Sequence, residues 1–267
     1  MTNESHEWAL ILGSSSGFGA ATAVELARAG MNVFGVHLDL RSTLPNAQRV
    51  IAEVQALGRQ AVFFNSNAAD AEKRARVVES IREKLSAQGD DAYVRVLMHS
   101  LAFGTLVPFI GEDPKKRVSQ RQMEMTLDVM ASSLVYWVQE LMAAKLMRRG
   151  SRVFAMTSSG STRVINNYGP VSAAKAALES NVRQLAVELA PAGIAVNSIR
   201  AGITDTPAMR KIAGAVELYE RAQARNPGGR ATAVEDVAKA IPALCDERLY
   251  WMTGNVIGID GGEEVTA

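Results

Sequence analysis

The chain has 267 residues, 48% of them hydrophobic, with 29 basic against 28 acidic side chains and a net charge of +1, so charge gives no ground for a nucleic-acid or anionic-membrane partner. Cys245 is the only cysteine, which excludes an intrachain disulfide and fits a reducing compartment. The polar start, Met1 to Glu7, has no charged-then-apolar leader and no long apolar span follows it, so a soluble, cytoplasmic protein is expected.

Short apolar runs alternate with amphipathic segments from end to end. The first run, Trp8–Leu12, opens into Gly13-Ser14-Ser15-Ser16-Gly17-Phe18-Gly19 and then a helical stretch, Ala20–Ala29. Glycines belong where a turn is tight and where backbone must approach a pyrophosphate, and the N–H groups of the following helix face the phosphate charge. Gly13, Ser15, Ser16, Gly17, Phe18 and Gly19 are therefore candidate dinucleotide contacts. The spacing is Gly-x3-Gly-x-Gly, and its weight comes from lying between a strand and a helix.

The second run, Asn32–His37, ends where an acidic residue would hydrogen-bond an adenosine 2′-hydroxyl or a basic one would hold a 2′-phosphate. His37 occupies that position. Asp39, two residues on, reaches the ribose in one reading; in the other, His37 and Arg41 hold a phosphate. Further runs are Ala61–Asn65, Val94–His99, Arg152–Thr157, Ala195–Arg200 and Val256–Ile259, with helical stretches at Arg49–Leu57, Ala71–Leu85 and Ala233–Cys245. Several runs lack polar alternation, as in strands buried on both faces. The rhythm predicts a Rossmann-type, doubly wound parallel sheet of about seven strands with helices on both faces, forming one dinucleotide-binding domain over 1–267 with no linker or repeat.

Two stretches exceed a plain crossover. Arg121–Met147 is apolar around much of its circumference, which predicts a helix packed on the sheet and on a second subunit, with a charge at Val138 as the probe of that interface, the alternative being a thick core contact within one subunit. Thr206–Arg230 ends in Asn226-Pro227-Gly228-Gly229-Arg230, which suits either a mobile substrate cover over about 204–230 or an ordinary surface helix. His6, His37 and His99 are scattered and the lone cysteine has no partner, so no metal is expected.

Tyr168 and Lys175 are separated by six residues, in Tyr168-Gly169-Pro170-Val171-Ser172-Ala173-Ala174-Lys175. Pro170 suits a first helical turn, which places Tyr168 just before a helix from which Lys175 projects. With the glycine loop and the terminal Ile257-Gly258-Ile259-Asp260-Gly261-Gly262, this pair makes the chain resemble the short-chain dehydrogenase/reductases along nearly its full length. More narrowly it is similar to the bacterial enoyl-acyl-carrier-protein reductases. Ordinary members of the superfamily put three residues between tyrosine and lysine, where this chain has Val171. Tyr168 follows Ser158 by ten residues, as the two active-site positions do in the enoyl reductases. Met98-His99-Ser100-Leu101-Ala102-Phe103 resembles their His-Ser-Ile-Gly-Phe, and Met130 stands where ketoreductases relay a proton through asparagine. Ser158 departs from their usual aromatic residue, and its segment looks closest to a ketoreductase-like branch that tends to use NADPH.

The resemblance implies hydride transfer from NADPH, rather than NADH, to the β-carbon of a trans-2-enoyl thioester of acyl-carrier protein or coenzyme A, in fatty-acid synthesis. Tyr168 would stabilise and protonate the enolate, Ser158 would add a hydrogen bond, and Lys175 would hold the nicotinamide ribose. Asn67 and Ala68 match an adenine-binding pair; Ser100, Leu101 and Ala102 match backbone beneath the cofactor; Thr204 and Thr206 match carboxamide and pyrophosphate contacts. Phe103, Met209 and Ile212 are expected to line an acyl channel, and the assembly is expected to be a homotetramer. Ser158 keeps open a short-chain ketone or alcohol dehydrogenase, of 3-oxoacyl or hydroxysteroid-like type. A non-catalytic dinucleotide sensor is the reading from another class.

Overall fold

The computed structural model describes residues 5–266. Among them, seven strands form one all-parallel sheet in the order β3-β2-β1-β4-β5-β6-β7. The strands are β1 (Glu7–Leu12), β2 (Asn32–His37), β3 (Ala61–Asn65), β4 (Tyr93–His99), β5 (Arg152–Thr157), β6 (Ala195–Ala201) and β7 (Val256–Ile259). The helices are α1 (Gly17–Arg28), α2 (Leu44–Ala56), α3 (Ala71–Ser86), α4 (Gln120–Leu127), α5 (Ser133–Ala143), α6 (Gly169–Leu189), α7 (Ala215–Arg225) and α8 (Val234–Leu244). Each apolar run of the sequence is a strand. Helix α2 starts five residues before the expected Arg49, because Pro45 sits in its first turn, where the missing N–H costs no hydrogen bond.

Helices cover both faces of the sheet. On one, α1, α2 and α8 bury Ala23, Leu26, Val50, Val54, Val237 and Ile241 against Ile11, Met98 and Phe154. On the other, α3, α5 and α6 bury Val77, Ile81, Trp137, Leu178 and Val182 against Leu10, Leu97 and Val153. This explains the unalternating runs: every residue of β2, β4 and β5 is buried, β1 and β6 open only at one end, and the edge strands β3 and β7 are partly open throughout. Among the described residues no helix is long and apolar enough to cross a membrane.

The 121–147 stretch is not one helix. It divides into α4, a π turn over Asp128–Ser132, and α5, which ends before Lys145 at φ +58°. Inside the turn, Ser133 Oγ bonds back to the Val129 carbonyl at 2.8 Å, a local competition of the kind that widens a helix. Of the apolar positions in this stretch, Leu134, Trp137, Val138 and Leu141 lie in this subunit's own main core, while Tyr136 is exposed. Val138, 2% exposed, is therefore not an interface probe. Val138→Asp would bury an unpartnered carboxylate, and a loss of about 3 kcal/mol or more in urea-unfolding stability is expected rather than a clean change in assembly.

Candidate functional site

Successive strands are added toward one edge of the sheet from β1 to β3 and toward the other from β4 to β7, so the loops leaving the C-terminal ends of β1 and β4 part there and open a crevice. The Gly13 loop and the Ser100 loop are those two. Gly13 has φ +89°, and a β-carbon on it would lie 2.4 Å from the Ser100 carbonyl oxygen and 3.6 Å from Leu101 Cδ2. A β-carbon on Gly19 would meet the Gly13 carbonyl oxygen at 2.1 Å. The turn is closed by Gly13 N–H and Ser14 N–H, which donate to the Val36 carbonyl at 2.8 and 3.1 Å, while Ser100 N–H donates to Leu12. Folded this tightly, the loop brings up the start of α1. Ser16 caps that helix in an extended conformation without a side-chain bond, and the first turn holds no acid. A dipole end with open N–H donors and glycine walls fits an anionic pyrophosphate. Phe18 packs its ring into the core, leaving its backbone to the loop. Gly17 faces Thr206, whose Cγ2 stands 3.6 Å from where its β-carbon would be.

At the end of β2, His37 is buried, and its Nδ1 meets Asp39 Oδ2 at 2.8 Å. One ring nitrogen of His37 is thus engaged by Asp39, the two residues that the sequence offers for the ribose position lying in contact. Burial alone would raise the Asp39 carboxyl, but hydrogen bonds from Thr43, Ser15 and His37 outweigh it and hold it below the usual range. Asn65 fixes the Asp39 backbone through its amide, donating to Asp39 O and accepting from Asp39 N–H, both at 3.0 Å. Arg41 is exposed and makes no ion pair among the described residues. After β3, Asn67 Oδ1 accepts from Ala69 N–H, and the Ala68 carbonyl is taken by Trp137 Nε1 at 2.9 Å, so that turn is tied down from α5.

The Tyr168 group gathers around the end of β5 and the start of α6. Asn167, left-handed at φ +58°, turns the chain so that Tyr168 caps α6, with Pro170 in the first turn. Gly160 lets the tyrosine ring lie close: a β-carbon there would stand 2.6 Å from Tyr168 Cε1 and 3.2 Å from Ser158 Oγ. Burial raises the Tyr168 phenol above its ordinary value, and the neighbouring Ser158 hydroxyl opposes the rise, although Ser158 Oγ is buried without a well-formed hydrogen bond. Lys175 is 5% exposed and donates from Nζ to the Met156 carbonyl at 2.7 Å. Burial pulls its ammonium down to about 8, with Glu179 opposing. Val171, where an ordinary superfamily tyrosine would stand, is buried with Met130 and Ala174 in a small cluster that also packs Leu106, Leu127 and the Tyr168 ring.

Several neighbours escaped sequence reasoning. His99 Nε2 and Ser133 Oγ lie 2.8 Å apart, and burial drives the imidazole down to about 3, so it is neutral. The Phe109 ring occupies the space over Gly169, 2.7 Å from where a β-carbon would lie. Glu263, buried in the C-terminal segment, accepts from Ile203 N–H at 2.9 Å and from Arg225 at 3.2 Å. Only the i, i+4 spacing of Glu179 from Lys175 was available as a sequence signal; the others are joined by tertiary contact.

Thr204 and Thr206 are both buried, and Thr206 Oγ1 accepts from Met209 N–H at 3.1 Å. The stretch after them is a short 3-10 turn at Met209–Lys211, a left-handed Gly214 and then α7, which buries only Ala222. Its far end is pinned by Asn226, which donates to the Asp260 carbonyl at 2.7 Å. Of the expected channel residues, Met209 is buried, Ile212 half-buried and Phe103 63% exposed. An open recess of about 510 Å³ behind α7, lined by Thr204, Asp205, Tyr219, Gln223 and Arg230, contains neither Tyr168 nor Lys175 and is not where their chemistry would occur.

Comparison with known proteins agrees with this geometry. The family model described as Enoyl-(Acyl carrier protein) reductase matches residues 13–264. The chain is 28% identical over 272 residues to the 1-cyclohexenylcarbonyl-CoA reductase of Streptomyces collinus, covering 100% of this chain and 90% of the relative. It is 31% identical over 170 residues to the enoyl-[acyl-carrier-protein] reductase [NADH] FabI of Aquifex aeolicus, covering 64% of this chain and 62% of that one. It is also 29% identical over 259 residues to the 3-oxoacyl-[acyl-carrier-protein] reductase FabG of Aggregatibacter actinomycetemcomitans, covering 96% and 98%. A crevice between the β1 and β4 loops, a Tyr168–Lys175 pair beside it and a family match spanning both identify the chain as an oxidoreductase of the short-chain dehydrogenase/reductase superfamily, belonging to its enoyl-(acyl carrier protein) reductase family.

Proposed function

We propose that the protein reduces trans-2-enoyl thioesters, carried on acyl-carrier protein or coenzyme A, with NADPH, as an enoyl-acyl-carrier-protein reductase of fatty-acid synthesis. The observation that carries this reading is the contrast between a sealed Val171 and a Tyr168 ring set against Gly160 and Ser158. The position that serves ketone reduction in ordinary relatives holds a core valine, and the available phenol is the one at the longer spacing.

When bound, the nicotinamide supplies a hydride for the substrate β-carbon. Tyr168 donates a hydrogen bond to the thioester oxygen as negative charge develops there, and gives up the proton; a phenol held above its ordinary pKa stays protonated throughout the neutral range. Ser158 Oγ, buried without a good partner, adds a second donor. Lys175 holds the ribose hydroxyls and lowers the cost of charge on nearby oxygen. Gly13, Ser15, Ser16, Gly17, Phe18 and Gly19 take the pyrophosphate; Asn67 and Ala68 the adenine; Ser100, Leu101, Ala102, Thr204 and Thr206 the remainder. The segment 204–230 covers the substrate, and in support of this it is anchored at Thr206 and Asn226 while α7 between them buries little.

For the 2′-phosphate, Arg41 supplies the charge, and His37, in contact with the Asp39 carboxylate at 2.8 Å, holds that carboxylate to itself rather than toward the phosphate. Assembly as a homotetramer through α4–α5 and α6 belongs to the same reading; Val187 and Tyr136 are exposed apolar positions on those helices, and scattering mass tests it. A ketone or alcohol reductase is the second reading, favoured by Ser158 and by the near-complete match to a 3-oxoacyl reductase; Met130 and Val171 count against it.

The deciding assay follows NADPH and NADH oxidation with crotonyl and longer trans-2-enoyl thioesters beside acetoacetyl thioester. Oxidation with the enoyl substrates is expected, and oxidation with the keto substrate alone would replace this reading by the second. Tyr168→Phe is expected to lower kcat about 10²-fold or more while the NADPH dissociation constant stays put. Arg41→Ala is expected to raise the KM for NADPH about tenfold and to leave that for NADH nearly unchanged, steady-state kinetics with both cofactors being the check. An equal effect on both would return the ribose contact to Asp39.

A further inference from the structure

Glu179 stands one helical turn beyond Lys175 on α6, and the chemistry above makes no use of it. The end of β5 grips both residues. The Met156 carbonyl accepts from Lys175 Nζ at 2.7 Å, and Thr157 Oγ1 donates to Glu179 Oε1 at 2.6 Å. Consecutive residues of one strand thus hold an ammonium and a carboxylate at the i and i+4 positions of one helix, the spacing at which such groups are neighbours. The hydroxyl bond is charge-assisted and short, so the carboxylate is held in place rather than left to swing.

Among the described residues, Glu179 is the charged group that acts on Lys175. From β4 comes His99, buried and neutral, its imidazole pushed down first by burial and then by the Lys175 charge itself. The segment between β5 and α6 contributes the hydroxyls of Ser158 and Tyr168, both uncharged near neutrality. The π turn contributes Met130, packed on Val171 and Ala174 of the same helix. The one hydrogen-bond partner that Lys175 has among the described residues is a neutral carbonyl.

We infer that Glu179 is a positioning residue for Lys175: its carboxylate, aimed by Thr157, keeps the buried side chain in its ammonium form at the cofactor site. This rests on the reading of Lys175 as the residue that holds the cofactor ribose. The electrostatics run the same way, since burial pulls Lys175 down to about 8 and the Glu179 charge pushes it up. Lys175 is charged below its pKa, so its hold on the cofactor fades as pH rises through that value. Without the Glu179 charge, the fading begins at lower pH.

The test is the pH dependence of NADPH binding, followed by cofactor fluorescence without substrate, in the wild type and in Glu179→Gln, Glu179→Asp, Thr157→Val and Lys175→Ala. Glu179→Gln keeps an acceptor for Thr157 and removes only the charge. Its alkaline limb is expected to move down by about one pH unit, giving roughly tenfold weaker binding above about pH 8.5 and little change below about pH 6.5. Glu179→Asp should restore most of the limb, and Thr157→Val should fall between. Superimposable limbs, or binding weakened equally at every pH, would overturn the assignment of Glu179 if Lys175→Ala still binds more weakly than wild type. Wild-type binding by Lys175→Ala would instead overturn the reading of Lys175, and the proposal with it.

Discussion

The backbone-on-backbone contact between Gly13 and Ser100 is what the rest of the structure depends on. No side chain fits between that α-carbon and the Ser100 carbonyl. Because β1 and β4 are neighbours while their following loops diverge, the contact sits at the one point where the sheet opens. It lets the loop fold back under α1 and bring up an uncapped helix start with no acid in its first turn, while Gly19 closes the turn against Gly13. The parallel sheet then does the gathering. His37, Asn65, His99, Thr157 and Ala201 end successive strands at the same edge, so residues far apart in the chain reach one crevice.

Burial sets the electrostatics there. It moves the Tyr168 phenol up, the Lys175 ammonium down and the His99 imidazole further down, in each case against the charged form. A neutral phenol and a neutral imidazole near neutrality leave Lys175 as the charged group, with Glu179 behind it. At the other end of the crevice, Asp39 escapes the same rule because hydrogen bonds from Thr43, Ser15 and His37 together exceed the cost of its burial. Arg41, two residues along the chain, is exposed and makes no ion pair among the described residues.

The π turn links the long α4–α5 stretch to the identity of the available tyrosine. It puts Met130 against Val171 and Ala174, and a side chain on Gly104 would collide with both Met130 and Val171. Position 171 is closed from three directions, and a phenol there would have to open the cluster. The same turn carries Ser133 to His99, fixing an imidazole that faces the lysine charge. The preference for one tyrosine position over another is thus built into packing as well as into spacing.

Much of this was legible in the chain itself. Strands buried on both faces show as largely unalternating apolar runs, as β2, β4 and β5 do, and the partly open β3 and β7 were readable as short apolar runs in the same alternation with helices. The glycine loop and the Pro170 start of α6 were readable because backbone geometry, not context, demands those residues. The inward turn of His37 onto Asp39, the occupation of Val138 by the subunit's own core and the break at Asp128 were not. Periodicity reports how much of a helix is apolar without saying what covers it, and a π turn leaves no mark in composition. Glu263 reaches the β6 loop across 60 residues of sequence, a distance over which no local pattern operates. The sequence by itself determined the sheet, the glycine turn and the Tyr168–Lys175 spacing, since each is a local requirement of the chain. Tertiary structure alone decided which partner each polar group keeps once buried, because desolvation and hydrogen bonding depend on neighbours that the chain brings together only by folding.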